Sequence, residues 1–202
     1  KEGHLEQVDT SSFLTPGNKI LYEIYKDKDG KLWVSAFDVE SFIIDIRDYI
    51  VQKYPLPDLR NQLKANPAIN SLCKDEDGIF WFSQDRYGLC IYDSRKEKLK
   101  HYSQCQGTRN LPFGDVTNIA RSYNHNWIWA TSYGPTVFGL SQQNMEMKED
   151  VRIELGNVTN NPGLITSLFE DPQNNLWIGT TTGLFVYRIM SATLESIPEV
   201  SG

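Results

Sequence analysis

Two acidic runs, Asp27-Lys28-Asp29-Gly30 and Asp75-Glu76-Asp77-Gly78, set carboxylates two residues apart just ahead of a glycine. Calcium loops use such alternation, but an EF-hand also needs Gly at its sixth position and a distal bidentate Glu. Neither is in register, so no metal is expected. Glycoside hydrolysis needs two facing carboxylates, for which Asp38, Glu40 and Asp85 are the candidates. Aspartates also collect in turns because their side chains hydrogen-bond the local backbone, and that bland reading is the favoured one. His4, His101 and His125 are scattered and no G-x-S-x-G occurs, so no nucleophile and base stand together. No catalytic residue and no cofactor is expected.

What positions these residues is a repeat. Tryptophans at 33, 81, 129 and 177 recur at a spacing of 48 residues inside "KLWVSA", "IFWFSQ", "WIWATS" and "LWIGTT". A fixed period of this length marks repeat architectures. The second unit reads most plainly, with strands over Ile69 to Lys74, Ile79 to Ser83, "LCIYD" and "EKLKHYS" separated by turns, the first an Asp-Gly hairpin signal. Its central strand is apolar on both pleat faces, so both faces of the sheet need cover. Sheets stacked about an axis supply it. Ser35, Ser83, Thr131 and Gly179, two residues beyond each tryptophan, are small or slender and leave room for an indole wedged between neighbouring sheets. Pro16, Pro67, Pro112 and Pro162 precede the first strands, where a residue that cannot donate to a ladder suits a passage between units.

The expected fold is therefore all-β: a β-propeller segment of four four-stranded antiparallel blades, over about 20–54, 69–104, 116–155 and 165–198. Residues 5–12 read as the outer strand of a preceding blade. Between Pro57 and Pro67, Leu59 and Leu63 lie one helical turn apart, predicting a short helix in that linker. With an outer-strand candidate already present at 192–197, the expectation is an open arc that pairs with a second copy or with further blades of a longer chain.

Composition removes several function classes. A net charge of -6 disfavours nucleic acid or an anionic membrane as partner, and the basic run Ser94 to His101 is broken by Glu97 at an expected hairpin tip. No apolar run approaches the roughly 20 residues of a membrane-spanning helix. Three cysteines are too few for a disulfide scaffold, and Cys73 and Cys90 fall on strands separated by another strand, roughly 10 Å apart at ladder spacing. Both are expected as free core thiols.

A D-x-D-G-like turn, "LW-[IV]-G-T", "GL", an aromatic third strand and the linker "NLPFGDVTNI" together resemble the two-component regulator propeller repeat. The resemblance runs from about Ile20 to Ile197, most fully in the second and fourth units. It weakens in the first, where "AFDVESF" replaces the G-L step, and in the third, where "SYNHNWIW" lacks the acidic turn and carries one extra residue before Trp129. It implies a periplasmic, carbohydrate-sensing region of a hybrid histidine kinase, with signalling output in other parts of the parent protein. Sialidase-type propellers carry S-x-D-x-G-x-x-W at the same hairpin; here Lys28 and Glu76 hold its acidic position, so that box is absent.

If each first strand is innermost, the loops joining second to third strands and the linkers between blades emerge on one face. They carry Phe37, Asp38, Asp85, Arg86, Tyr87, Tyr133, Thr181 and Thr182, with Arg109, Asn110, Asn160 and Asn161 on the linkers. Aromatic rings for sugar C–H faces, with Asp, Asn, Arg and Thr for hydroxyls, suit an oligosaccharide. The reading is a non-catalytic sensor segment, with a glycoside-active propeller enzyme and a pure interaction scaffold as the alternatives.

Overall fold

The structure, a computed structural model, describes residues 21–27, 30–36, 42–45, 50–53, 69–75, 77–84, 88–93, 95–102 and 116–198. The expected strand at 5–12 and helix at 57–67 lie outside these. The chain divides into two compact units, Lys1–Ile69 and Asn70–Gly202. The first holds one antiparallel sheet, β1 (Leu21–Lys26), β2 (Lys31–Ala36), β3 (Phe42–Asp45) and β4 (Ile50–Lys53), paired in chain order.

Three further sheets make up the second unit: β5 (Ile69–Lys74), β6 (Ile79–Gln84), β7 (Gly88–Asp93) and β8 (Lys98–Tyr102); β9 (Val116–Arg121), β10 (Ile128–Ser132), β11 (Thr136–Gln143) and β12 (Glu146–Glu154); β13 (Ile165–Glu170), β14 (Asn175–Thr180), β15 (Gly183–Arg188) and β16 (Thr193–Ile197). The chain is thus all-β, with four four-stranded antiparallel meanders. We call them blades 1 to 4.

First strands are the inner ones of the second unit. Ser71 on β5 hydrogen-bonds both backbone groups of Ile119 on β9, at 3.1 Å to its carbonyl and 3.2 Å from its N–H. Asn118 on β9 in turn donates to the Thr166 carbonyl on β13 at 3.0 Å. Outer strands β8 and β16 are largely exposed or half-exposed. Blade 3 packs on blade 4 through one cluster, in which Trp129, Val137 and Ile153 meet Ile165, Leu176, Ile178 and Phe185. The Trp129 indole is therefore wedged between neighbouring blades, as its spacing implied. Thr131 is buried beyond it, and the closest clearance comes from Gly139 across the ladder, where an added Cβ would begin 3.2 Å from the ring and 3.0 Å from Val151.

Trp33, Trp81, Trp129 and Trp177 stand on β2, β6, β10 and β14, the second strands. The first three are buried. Trp177 departs from the expectation of an indole wedged between neighbouring sheets, being only half-buried.

Blade 3 also reaches back over blade 2. Its β11 and β12 are longer than their counterparts, and their hairpin turns through Asn144 and Met145, both at positive φ (53° and 65°). Such a left-handed pair matches the twist of the strands, but Met is an unfavourable residue there. Burial of its side chain and a 2.5 Å bond from the Tyr102 hydroxyl to the Met145 carbonyl hold it. Lys100 pairs with Glu146 alongside. Cys73 and Cys90 are buried, reduced thiols, and burial pushes the Cys90 pKa far up.

Candidate functional site

The acidic turns serve the tryptophans. In blade 1 the Asp27 carboxylate accepts from the Lys31 N–H at 2.9 Å and from Trp33 Nε1 at 2.8 Å. Asp75 does the same for Ile79 and Trp81, at 2.9 and 2.8 Å. Asp171 repeats it for Asn175 and Trp177, at 3.0 and 2.8 Å. One carboxylate thus caps the hairpin and gives the indole N–H its partner, an assignment that spacing alone could have given: an Asp six residues before Trp in these three units. Two of these three caps, Asp75 and Asp171, differ electrostatically. Burial raises the Asp75 pKa, and its bonds from Trp81 and Ile79 offset this only in part. At Asp171 desolvation is outweighed by hydrogen bonds from Asn175, Trp177 and Gln173, which hold it at about 2.

Blade 3 departs from this pattern. Ser122 occupies the capping place, its N–H bonded to the Trp127 carbonyl as Asp27 N–H is to Lys31. Trp129 Nε1 instead donates to Glu170 of blade 4 at 2.6 Å, and Ser122 donates to the same carboxylate oxygen at 2.7 Å. Glu170 also accepts from the Asn124 N–H. The extra residue in "SYNHNWIW" accommodates a bend in which His125 stacks on Trp127 with centroids 4.2 Å apart.

The binding face expected from the loops can be followed on blades 3 and 4. Register pairs Ser132 with Val116, Thr136 with Glu154, and Ile165 with Thr180, so turns 133–135 and 181–182 and linker 155–164 all emerge at one end of these sheets. Tyr133 is 64% exposed there, and Asn160, Asn161, Thr181 and Thr182 are exposed too. The linker is fixed rather than loose. Leu155 N–H bonds the Pro135 carbonyl, Leu164 N–H bonds Thr181 Oγ1 at 3.0 Å, and Thr182 Oγ1 donates to the Asn161 carbonyl at 3.1 Å. Gly163, at φ +71°, lets the linker lie against that turn, since a Cβ there would begin 2.6 Å from Thr181 Oγ1. Thr182 is accordingly a residue that positions Asn161, leaving the Tyr133 ring and the two asparagine amides as the open groups. None of these turn and linker residues is charged. Phe37, Asp38, Asp85, Arg86, Tyr87, Arg109 and Asn110 lie outside the described residues. Among the described residues no group of His, Cys, Asp and Glu is disposed to hold a metal.

The linker and hairpin just described, residues 161–182, match the family Two component regulator propeller. This match covers 22 residues at the start of blade 4. The matched stretch includes Gly163, the Asp171 cap, Trp177 and the Thr181–Thr182 turn. Among solved structures, the chain is similar to the extracellular domain of a hybrid two-component system from B. thetaiotaomicron, at 22% identity and a TM-score of 0.64 over 89% of this chain. It is likewise similar to a second such domain from that organism, at 20% identity and TM-score 0.62 over 88%. The chain spans 23% of the length of each. A catalytically inactive virginiamycin B lyase from Staphylococcus aureus, with quinupristin, aligns at 20% identity and TM-score 0.63, over 94% of this chain and 59% of the lyase. At these identities the likeness is one of fold, the β-propeller. The chain matches no curated protein.

Proposed function

We propose that the chain is a non-catalytic sensor segment of an extracytoplasmic propeller in a hybrid two-component signalling protein, and that the turn-and-linker end of its blades contributes to recognising an oligosaccharide. The regulator propeller repeat at residues 161–182 carries the signalling part of this reading. Similarity to the extracellular domains of two hybrid two-component systems supports the location, and no helix among the described residues is long and apolar enough to cross a membrane. The ligand class rests on the chemistry of the exposed end. An exposed tyrosine ring can stack on the C–H face of a sugar, and Asn160 and Asn161 amides can each donate to and accept from hydroxyls. An uncharged set of this kind favours neutral sugars over acidic ones.

Titration of the chain with a panel of neutral and acidic oligosaccharides, with product analysis of each mixture, tests this. Binding of a neutral oligosaccharide without turnover, weakened about tenfold or more by Tyr133→Ala, is expected. Turnover of any glycan would move the protein to the enzyme class. Binding unaffected by Tyr133→Ala and by Asn160→Ala would place the site elsewhere.

A further inference from the structure

Two threonines close the backbone of Asn161 from opposite sides. Its N–H donates to Thr159 Oγ1 at 3.3 Å, and its carbonyl accepts from Thr182 Oγ1 at 3.1 Å. Pro162 follows, and a proline ring keeps the residue before it out of the helical region, in extended backbone. The clamp is itself anchored in blade 4. Thr182 N–H donates to Thr180 Oγ1 at 3.2 Å, and Leu164 exchanges two bonds with Thr181: its N–H donates to Oγ1 at 3.0 Å and its carbonyl accepts from the Thr181 N–H at 2.9 Å. With both polar backbone groups used, the Cα–Cβ direction of Asn161 is set and only its two side-chain rotors remain. Asn161 is exposed, with its amide free of these bonds. Asn160 is exposed as well, and none of them reaches it.

A primary amide carries an acceptor and two donors in one plane. Held still, it can accept from one sugar hydroxyl and donate to the next, whereas a mobile amide must first give up its freedom on binding. Each hydroxyl both donates and accepts, so two adjacent ring hydroxyls complete the pair. No charged residue stands in these turns and this linker to favour a carboxylate or sulfate in their place. We propose that Thr159 and Thr182 are positioning residues that make Asn161 the fixed hydrogen-bonding group of this end, and that it reads a pair of adjacent free hydroxyls on one ring of a neutral sugar. The hydroxyl pair rests on the oligosaccharide reading above; the clamp does not.

NMR on the whole chain tests the two parts separately. Without any sugar, relaxation of the side-chain amides should show Asn161 more ordered than Asn160. Thr159→Val and Thr182→Val should each lower the Asn161 order parameter with circular dichroism unchanged, while Thr159→Ser and Thr182→Ser, which keep the hydroxyl, preserve it. Where a valine variant fails to fold, alanine takes its place. Equal mobility of the two amides, or valine variants that leave Asn161 as ordered as before, would overturn the clamp. Methyl glucoside, galactoside and mannoside, with their monodeoxy analogues, then serve as probes. At least one hexoside should shift the Asn161 amide signals. Thr182→Val should bind it about threefold to tenfold more weakly, and loss of one of two adjacent hydroxyls should weaken it about tenfold. A hexoside whose binding needs Tyr133 but leaves the Asn161 amide unshifted would refute the role of Asn161 and keep the oligosaccharide reading. Should no hexoside and no oligosaccharide of the panel bind, that reading and the hydroxyl pair fall together, and relaxation alone decides the clamp.

Discussion

Removing the Glu170 carboxylate should destabilise blades 3 and 4 together, and the structure sets the size. Glu170 is 4% exposed and accepts from Trp129 Nε1 at 2.6 Å and Ser122 Oγ at 2.7 Å, both buried. A buried donor left without its partner costs about 1–3 kcal/mol, so Glu170→Ala is expected to cost about 2–5 kcal/mol. Ser122→Asp supplies the sharper test. In the wild-type background it sets a second carboxylate against Glu170, where both cannot ionise comfortably, and should destabilise. In the Glu170→Ala background the same change restores a local acceptor like those at Asp27, Asp75 and Asp171, and should recover about 1–2 kcal/mol. Urea unfolding of the four proteins gives the coupling as a double-mutant cycle. An effect of Ser122→Asp with the same sign and size in both backgrounds would show that Glu170 does not stand in for the missing aspartate.

Asp75→Ala should lower stability more than Asp171→Ala, by about 2–4 kcal/mol for Asp75, because Trp81 is buried and Trp177 has access to water; paired thermal melts compare them. The two caps should also respond oppositely to acid. Asp171, held at about 2, contributes stability above the ordinary carboxylate pKa near 3.9 that is lost as pH falls towards 2, whereas Asp75, raised, favours the folded state at low pH and gives this up as pH rises through its folded pKa. Carboxyl NMR titration should find Asp171 titrating below Asp75. Gly139→Leu should cost about 1–3 kcal/mol by crowding Val151 and Trp129, read by denaturant midpoint.

The period of the tryptophans was sufficient to place every second strand, because a repeated packing solution leaves a repeated residue. The acidic turns were legible as turns but not as tryptophan partners, since hairpin propensity already accounted for Asp-Gly. Glu170 could not be read at all: its role depends on Ser122 lying 48 residues earlier in sequence and in contact through packing. Met145 was equally hidden, a residue of the wrong type for its turn held there by Tyr102 of another blade. On the candidate site, the exposed end and its asparagines followed from strand order, while the positioning role of Thr182 emerged only from its bond to the Asn161 carbonyl. Half-burial of Trp177 depends on what stands beside blade 4, which no local pattern records.

The Glu170 contact makes the blades non-interchangeable. Blades with their own aspartate can be duplicated, deleted or moved in the gene without stranding an indole. Blade 3 cannot, because whatever sheet follows it must bring a carboxylate at the last residue of its first strand. Unequal recombination that lengthens or shortens this array should therefore respect the junction between residues 116–154 and 165–197, carrying the two blades as one cassette. A consensus protein built by averaging the repeats would restore an aspartate at Ser122 and erase the buried carboxylate contact that ties blade 3 to the blade after it.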